Sequence, residues 1–216
     1  MYRIFAIVLA IALLCGALLV WESAGRSRVY EAAARDPAEA ATLIAWNWPT
    51  DLARCGDQGL SRDAQALLGA LFAIEGFATG RLERLAETAT ARLASVVGVG
   101  PPDLSYGPGQ IRLSAAERVL ARYDQLTIAR PQLAERLLDA CFSRYVASLI
   151  VADLAEFQLP IGILARVDVI KAIALYNGQR APDSTPPTRT AVSHAVYREV
   201  AYHLFQLFRF EGANQR

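Results

Sequence analysis

Residues 104–116, LSYGPGQIRLSAA, decide how the rest of this chain is read. The stretch opens as a loop, Ser105-Tyr106-Gly107-Pro108-Gly109, and its composition predicts a turn into helix near Gln110. Two glycines and a proline in so few residues mark a tight, unusual backbone path. Glycine takes positive φ, and a backbone without Cβ lets another group come close. Either of two groups fits that role. One is a ligand, met by the polar side chains of Ser105, Tyr106 and Gln110. The other is a second helix of the same protein. The residues alone leave both open.

Upstream, residues 64–77 read AQALLGALFAIEGF. Leu67, Leu68, Leu71, Phe72 and Ile74 form a helical stripe that nearly wraps the element, the pattern of a buried helix. Ser61 and Asp63 stand where an N-cap is expected. Glu75 sits at the C-terminal end, followed by Gly76. Burial and the negative end of the helix macrodipole both disfavour an ionised carboxylate there. A Glu so placed stays protonated near neutrality and serves as a general acid. The alternative is a Glu that simply emerges at the helix end and is solvated. Residues 81–97 form a clearer amphipathic helix. Leu82, Leu85, Ala89 and Leu93 repeat at helical spacing, which predicts the core-facing side, with Arg84, Glu87 and Arg92 on the polar side.

Downstream, helices are expected over 114–126, 131–154, 164–176 and 192–210, with Asn177-Gly178 stopping the third. Residues 27–46 are Ala-rich and helical in propensity, with Pro37 as a break or first-turn residue. No alternating strand pattern and no fixed repeat is present. The expected class is all-α, with seven or eight helices after an N-terminal apolar segment.

That segment, residues 4–21, IFAIVLAIALLCGALLVW, is continuously apolar and close to the roughly 20 residues a bilayer core requires. The following WESAGRS is a poor cleavage region, because ending a signal peptide after Ala24 puts Glu22 where a small residue is wanted. The expectation is an uncleaved membrane anchor with the rest exported. A cleaved signal is the alternative. Residues 1–24 are thus anchor or signal, 25–62 a helical lead-in and 63–210 the main domain. The net charge of +1 gives no bulk electrostatic case for nucleic acid. Beyond Cys15 in the apolar segment, Cys55 and Cys141 are either a disulfide in an oxidising compartment or two separately buried thiols. The cysteines, with His194 and His203, show no metal-ligand spacing, so neither a metal nor a cofactor is expected.

Three separated pieces then align with one family. A helix ends in Glu75. A loop-to-helix motif of the form S-x-G-x-x-Q-[IL]-x-x-S/T-x-A is carried by Ser105, Gly107, Gln110, Ile111, Ser114 and Ala116. A helix end reads Ala174-Leu175-Tyr176-Asn177-Gly178, and spaced tyrosines, Tyr197 and Tyr202, follow in the last helix. Over roughly Asp63 to Phe208 the chain resembles the catalytic domain of lytic transglycosylases, the lysozyme-like fold shared with goose-type lysozymes. Departures from the family pattern are Gly76 in place of a common Ser, Pro108-Gly109 in place of two apolar residues, and a longer interval between Glu75 and Gln110.

The resemblance implies cleavage of the β-1,4 bond between N-acetylmuramic acid and N-acetylglucosamine in peptidoglycan. Glycosidases generally use two carboxylates about 5–10 Å apart. Lytic transglycosylases manage with one, implied here to be Glu75, acting first as acid and then as base while the muramoyl sugar's own hydroxyl closes an anhydro ring. Glu83 and Glu87 are the candidates for a second carboxylate, against the plainer reading of solvated helix faces. The resemblance implies substrate contacts for Ser105, Gly107 and Gln110. It implies that Tyr176 holds the Glu carboxyl or the transition state, and that Asn177 fixes its loop or touches sugar. Tyr106 either stacks on a sugar or shields the loop. The implied partner is the peptidoglycan glycan strand. A second reading is a catalytically degenerate scaffold that binds glycan or a partner protein at the membrane. A third is a purely structural helical membrane protein.

Overall fold

A computed structural model of the chain describes residues 28–47, 53–56, 59–155, 164–176 and 189–214. These form helices α1 (28–35), α2 (Pro37–Asn47), α3 (Arg62–Ala78), α4 (Arg81–Val97), α5 (Leu113–Tyr123), α6 (Arg130–Leu137), α7 (Ala140–Ala155), α8 (Arg166–Tyr176) and α9 (Arg189–Asn214). A single 3-10 turn spans Ala53–Cys55, and two short strands, β1 (Ser105–Tyr106) and β2 (Ile111–Arg112), pair between α4 and α5. The class is all-α. The N-terminal apolar segment, Asn177-Gly178 and the Pro/Thr-rich residues 179–188 lie outside the described residues.

Helix α3 takes the centre, as an apolar surface on nearly all sides requires. Leu67, Leu68, Leu71, Phe72 and Ile74 are all buried. Ser61 caps it, its Oγ accepting from Ala64 N–H at 3.2 Å. Asp63 does something else. Its buried carboxylate accepts from Leu164 N–H at 2.6 Å and pairs with Arg209 of α9 at 2.9 Å, so it ties α3 to both downstream segments. Helix α9 lies along α3 and also packs on α2 and α8. The lead-in helices share this core: Val29, Ala33, Ala40, Ala41 and Ile44 are buried in it. Pro37 is the first residue of α2, where its missing N–H costs nothing, and Asp36 accepts from Ala38 N–H at 2.9 Å.

Around that centre, α5 packs on α7, α7 on α8, and α4 on α6. The single long helix expected over 131–154 is two helices. Asp139 interrupts it, its carboxylate accepting from the N–H groups of Cys141 and Phe142 at 3.0 and 2.9 Å and so starting α7 afresh. Cys55 and Cys141 form a disulfide, which pins the 3-10 turn to the start of α7. Closing a loop of 86 residues restricts the unfolded chain by about 4.6 kcal/mol.

Helix α4 departs most from expectation. Its predicted core side, Leu85, Ala89 and Leu93, faces outward. Ala91 and Ala94 are buried instead, and Arg84 and Glu87 turn inward to half-buried positions. The reason is local. Arg84 donates to the Gly76 carbonyl at 2.9 Å, and Glu87 accepts from Gln110 at 3.0 Å; these polar anchors, with small alanines between them, set the inward face. The Glu87 environment is therefore not the solvated helix face expected.

Candidate active site

The stretch at 104–116 is a hairpin that leads into a helix. Ser105 pairs with Arg112 and Tyr106 with Ile111, and Gly107 to Gln110 make the turn, closed by Gln110 N–H on the Gly107 carbonyl at 3.0 Å. Helix α5 begins at Leu113 and not at the turn itself, because Gln110 is left-handed (φ 49°) and Ile111–Arg112 are taken up by β2. Asp103 serves that helix start from outside, accepting from Ser114 N–H at 2.8 Å and Ser114 Oγ at 2.9 Å. Those bonds, the backbone one foremost, hold its carboxyl below the usual range.

The question posed by the glycines is answered by the protein itself. Gly107 is at φ 72°, and a Cβ there would stand 1.8 Å from the Leu137 carbonyl oxygen at the end of α6. A Cβ at Gly109 would stand 2.9 Å from both Phe72 Cζ and Ser143 Oγ. Both bare positions let other elements close in, and a ligand is not what presses on them. Gly107 is therefore a packing residue, its bare Cα closed off by the end of α6. Tyr106 is also resolved: it is fully buried, its hydroxyl donating to the Pro102 carbonyl at 3.2 Å, and it shields the loop instead of stacking on a sugar.

Glu75 is buried in the last turn of α3, where its backbone carbonyl accepts from the C-cap Thr79 N–H at 2.8 Å. Burial pushes its carboxyl up from 4.5 to about 7, against the opposing effect of Tyr197. The Tyr197 hydroxyl, from α9, donates to Glu75 Oε1 at 2.6 Å. This role was expected of Tyr176. The Tyr176 hydroxyl instead donates to the Gly109 carbonyl at 2.6 Å. The exchange follows from the packing: α9 runs along α3, so its tyrosine reaches the carboxyl, while α8 ends against the hairpin turn. Both phenols are held well above their ordinary range, chiefly by burial and next by the Glu75 charge. Glu75, Tyr197, Tyr176 and the turn at Gly109 thus form one cluster. Gly76 leaves room for a side chain, with only Arg84 Nη1 at 3.9 Å from an added Cβ.

Two cavities flank this cluster, and Glu75 lines neither. The first, about 360 Å³, lies between α4 and the hairpin and is lined by Glu83, Glu87, Asp103, Ser105, Gln110 and Arg112 among others. Ser105 and Gln110 are thereby brought to one opening. The Gln110 amide is already engaged, donating to both Glu87 oxygens at 3.1 and 3.0 Å and to the Gly107 carbonyl at 3.0 Å. Burial raises the Glu87 carboxyl, and Gln110 partly offsets it. The second cavity, about 390 Å³, is apolar and shares Tyr197 with the cluster. Asn177 lies outside the described residues.

Sequence reasoning overlooked Tyr197 as the Glu75 partner, although the spaced tyrosines of the last helix marked it as available. It also overlooked Ser143, which accepts from Gly109 N–H at 3.3 Å and carries no sequence signal of its own. Among the described residues no cluster of His, Cys, Asp and Glu is arranged to hold a metal. Comparison with known protein families, curated proteins and solved structures finds no match for this chain.

Proposed function

We propose that the chain is a peptidoglycan lytic transglycosylase of lysozyme-like fold, held at the inner membrane by residues 4–21 with its helical domain in the periplasm. The observation that carries this reading is Glu75: a buried carboxyl raised to about 7, hydrogen-bonded by Tyr197 and set beside the turn that Tyr176 fixes. An acid with that affinity for its proton is half protonated at neutral pH, the condition a general acid needs.

In this mechanism the Glu75 proton passes to the glycosidic oxygen as its bond to the muramoyl anomeric carbon breaks. The muramoyl sugar's own hydroxyl then bonds to that carbon, and its proton returns to Glu75. The product is an anhydro sugar, and no water is consumed. Tyr197 positions the carboxyl, and Tyr176 positions the turn. Ser105, Gln110 and Asn177 are the proposed sugar contacts. The disulfide supports the exported placement, since such bonds persist in oxidising compartments.

The test is digestion of purified sacculi by the full chain and by Glu75→Gln. Anhydro-muropeptides from the parent alone support the proposal. Reducing-end products from the parent make it a hydrolase. A catalytically degenerate scaffold is the second reading, favoured by the engaged Gln110 amide and by the absence of Glu75 from both cavities. Sacculus binding with no products from either protein supports that reading.

Tyr197→Phe gives a separate expected result. Tyr197 lowers the Glu75 carboxyl, so its loss raises it further above 7. A required protonated acid makes activity fall as pH rises through that value. The alkaline limb of the kcat/KM profile therefore moves to higher pH in Tyr197→Phe. An unmoved limb means that Glu75 is not the acid that the profile reports.

A further inference from the structure

The outward face of α4 is the surface least accounted for. Leu85, Leu93, Val96 and Val97 are 64%, 65%, 85% and 60% exposed, and Ala86 and Ala89 are exposed with them. These positions fall within an arc of about 120° on a helix. Val99 and Leu104, past the helix end, are apolar and exposed as well. A stripe of this size on one helix marks a surface that meets something apolar.

We propose that this stripe is a bilayer-docking face, with α4 lying in the plane of the membrane interface and its aliphatic arc in the outer acyl region. The inference rests on the anchored placement given above. Residues 4–21 are apolar and long enough to reach across a bilayer, and only residues 22–27 separate them from α1. Fully extended, that tether spans about 20 Å. Tyr30, near the start of α1, stands on Phe77 with ring centroids 5.3 Å apart, and Val29 and Tyr30 share a cavity with Phe77 and Ala78. Helix α4 begins three residues after Ala78. The start of α1 therefore lies beside the first turn of α4, a helix about 25 Å long, and a short tether from there leaves the stripe within reach of a bilayer.

The composition of the stripe selects the occupant. It is aliphatic throughout, whereas protein–protein interfaces concentrate energy on Trp, Tyr and Arg anchors. An interfacial helix buries its apolar face about 5–10 Å into the headgroup and acyl boundary. Exposed Arg92 borders the arc, where it meets anionic headgroups. The opposite edge of the arc passes through Ala86 to the opening of the 360 Å³ cavity, so docking sets that opening beside the membrane.

The test uses the full chain with Cys15→Ser and the native disulfide intact, in nanodiscs of phosphatidylethanolamine and phosphatidylglycerol. A fluorophore is placed on a single cysteine at Leu93, at Val96, or at Val167, which is an exposed apolar residue of α8 away from the stripe. Lipids brominated on their acyl chains are expected to remove most of the fluorescence at Leu93 and Val96 and to leave Val167 unaffected. Stripe labels no more quenched than Val167, on protein that stays with the discs, overturn the docking face while the anchor stands. Protein that separates from the discs overturns the anchor and the docking together. Self-quenching between stripe labels, without quenching by lipid, overturns the proposal in favour of an interface between copies of the chain. Sacculus digestion by the same preparation keeps the catalytic reading independent of all these outcomes.

Discussion

Glu75→Gln is expected to raise the melting temperature at pH 8 and to leave it nearly unchanged at pH 4. The sign follows from linkage. The folded protein holds the Glu75 proton up to about pH 7, whereas the unfolded chain releases it near 4.5. Between those values folding has to retain a proton that the unfolded chain gives up, so the parent protein loses stability as pH rises through that window. Above it the full cost stands, roughly 3 kcal/mol. Glutamine carries no charge to desolvate, and its carbonyl keeps an acceptor for Tyr197. At pH 8 the variant should gain roughly 6–12 °C, at about 2–4 °C per kcal/mol for a chain of this size. Thermal melts of both proteins from pH 4 to 9 check this. A difference independent of pH means that Glu75 is solvated, and the acid role falls with it. Together with the loss of activity expected under the proposed function, such a gain would have the form of a stability–activity trade-off.

Gly107→Ala is expected to act in the opposite direction. The new methyl carbon would fall 1.8 Å from the Leu137 carbonyl oxygen and 2.8 Å from its carbon, both backbone atoms that no rotamer change can move. Positive φ adds about 1 kcal/mol for a residue with a Cβ. Gly98→Ala is the matched control, with φ 70° and nothing within 4 Å of the added carbon. The control should cost only the φ penalty, about 1 kcal/mol. Gly107→Ala should lose at least about 3 kcal/mol, a large part of the stability of an ordinary domain. Denaturant melts of the two variants measure the difference. Equal losses mean that the turn does not press on the α6 end as described.

What could be read from the sequence was what depends on a single element. An apolar surface around α3 required burial, whereas the Glu at its end was open between a buried acid and a solvated side chain until the packing of α9 placed Tyr197 on it. Pro37 marked a break or a first turn by chemistry confined to one residue, but the cap that Asp36 gives α2 was not read from the chain. The composition of 104–116 announced a tight path, yet whether ligand or protein pressed on the glycines depended on where α6 and α3 ended up. The exchange between Tyr176 and Tyr197 is of the same kind, since only the packing of α9 along α3 decides which hydroxyl reaches Glu75. Helix α4 shows the converse. Periodicity identified its apolar face, but apolar spacing alone does not say which face turns inward. Arg84 and Glu87, bonded to Gly76 and Gln110, decide the orientation instead. Cys55 and Cys141 could not be paired from the chain alone because their proximity depends on the start of α7, which Asp139 sets.

The site follows from these placements. A raised carboxyl, the phenol that orients it and a turn clamped by a second phenol come from three regions of the chain, and all three meet beside α3. The most direct measurement is an NMR titration of the Glu75 side-chain carbonyl in the intact protein labelled at glutamate, with Glu75→Gln identifying the resonance. A buried, proton-retaining Glu75 gives a midpoint near pH 7. A midpoint near the ordinary 4.5 would contradict it.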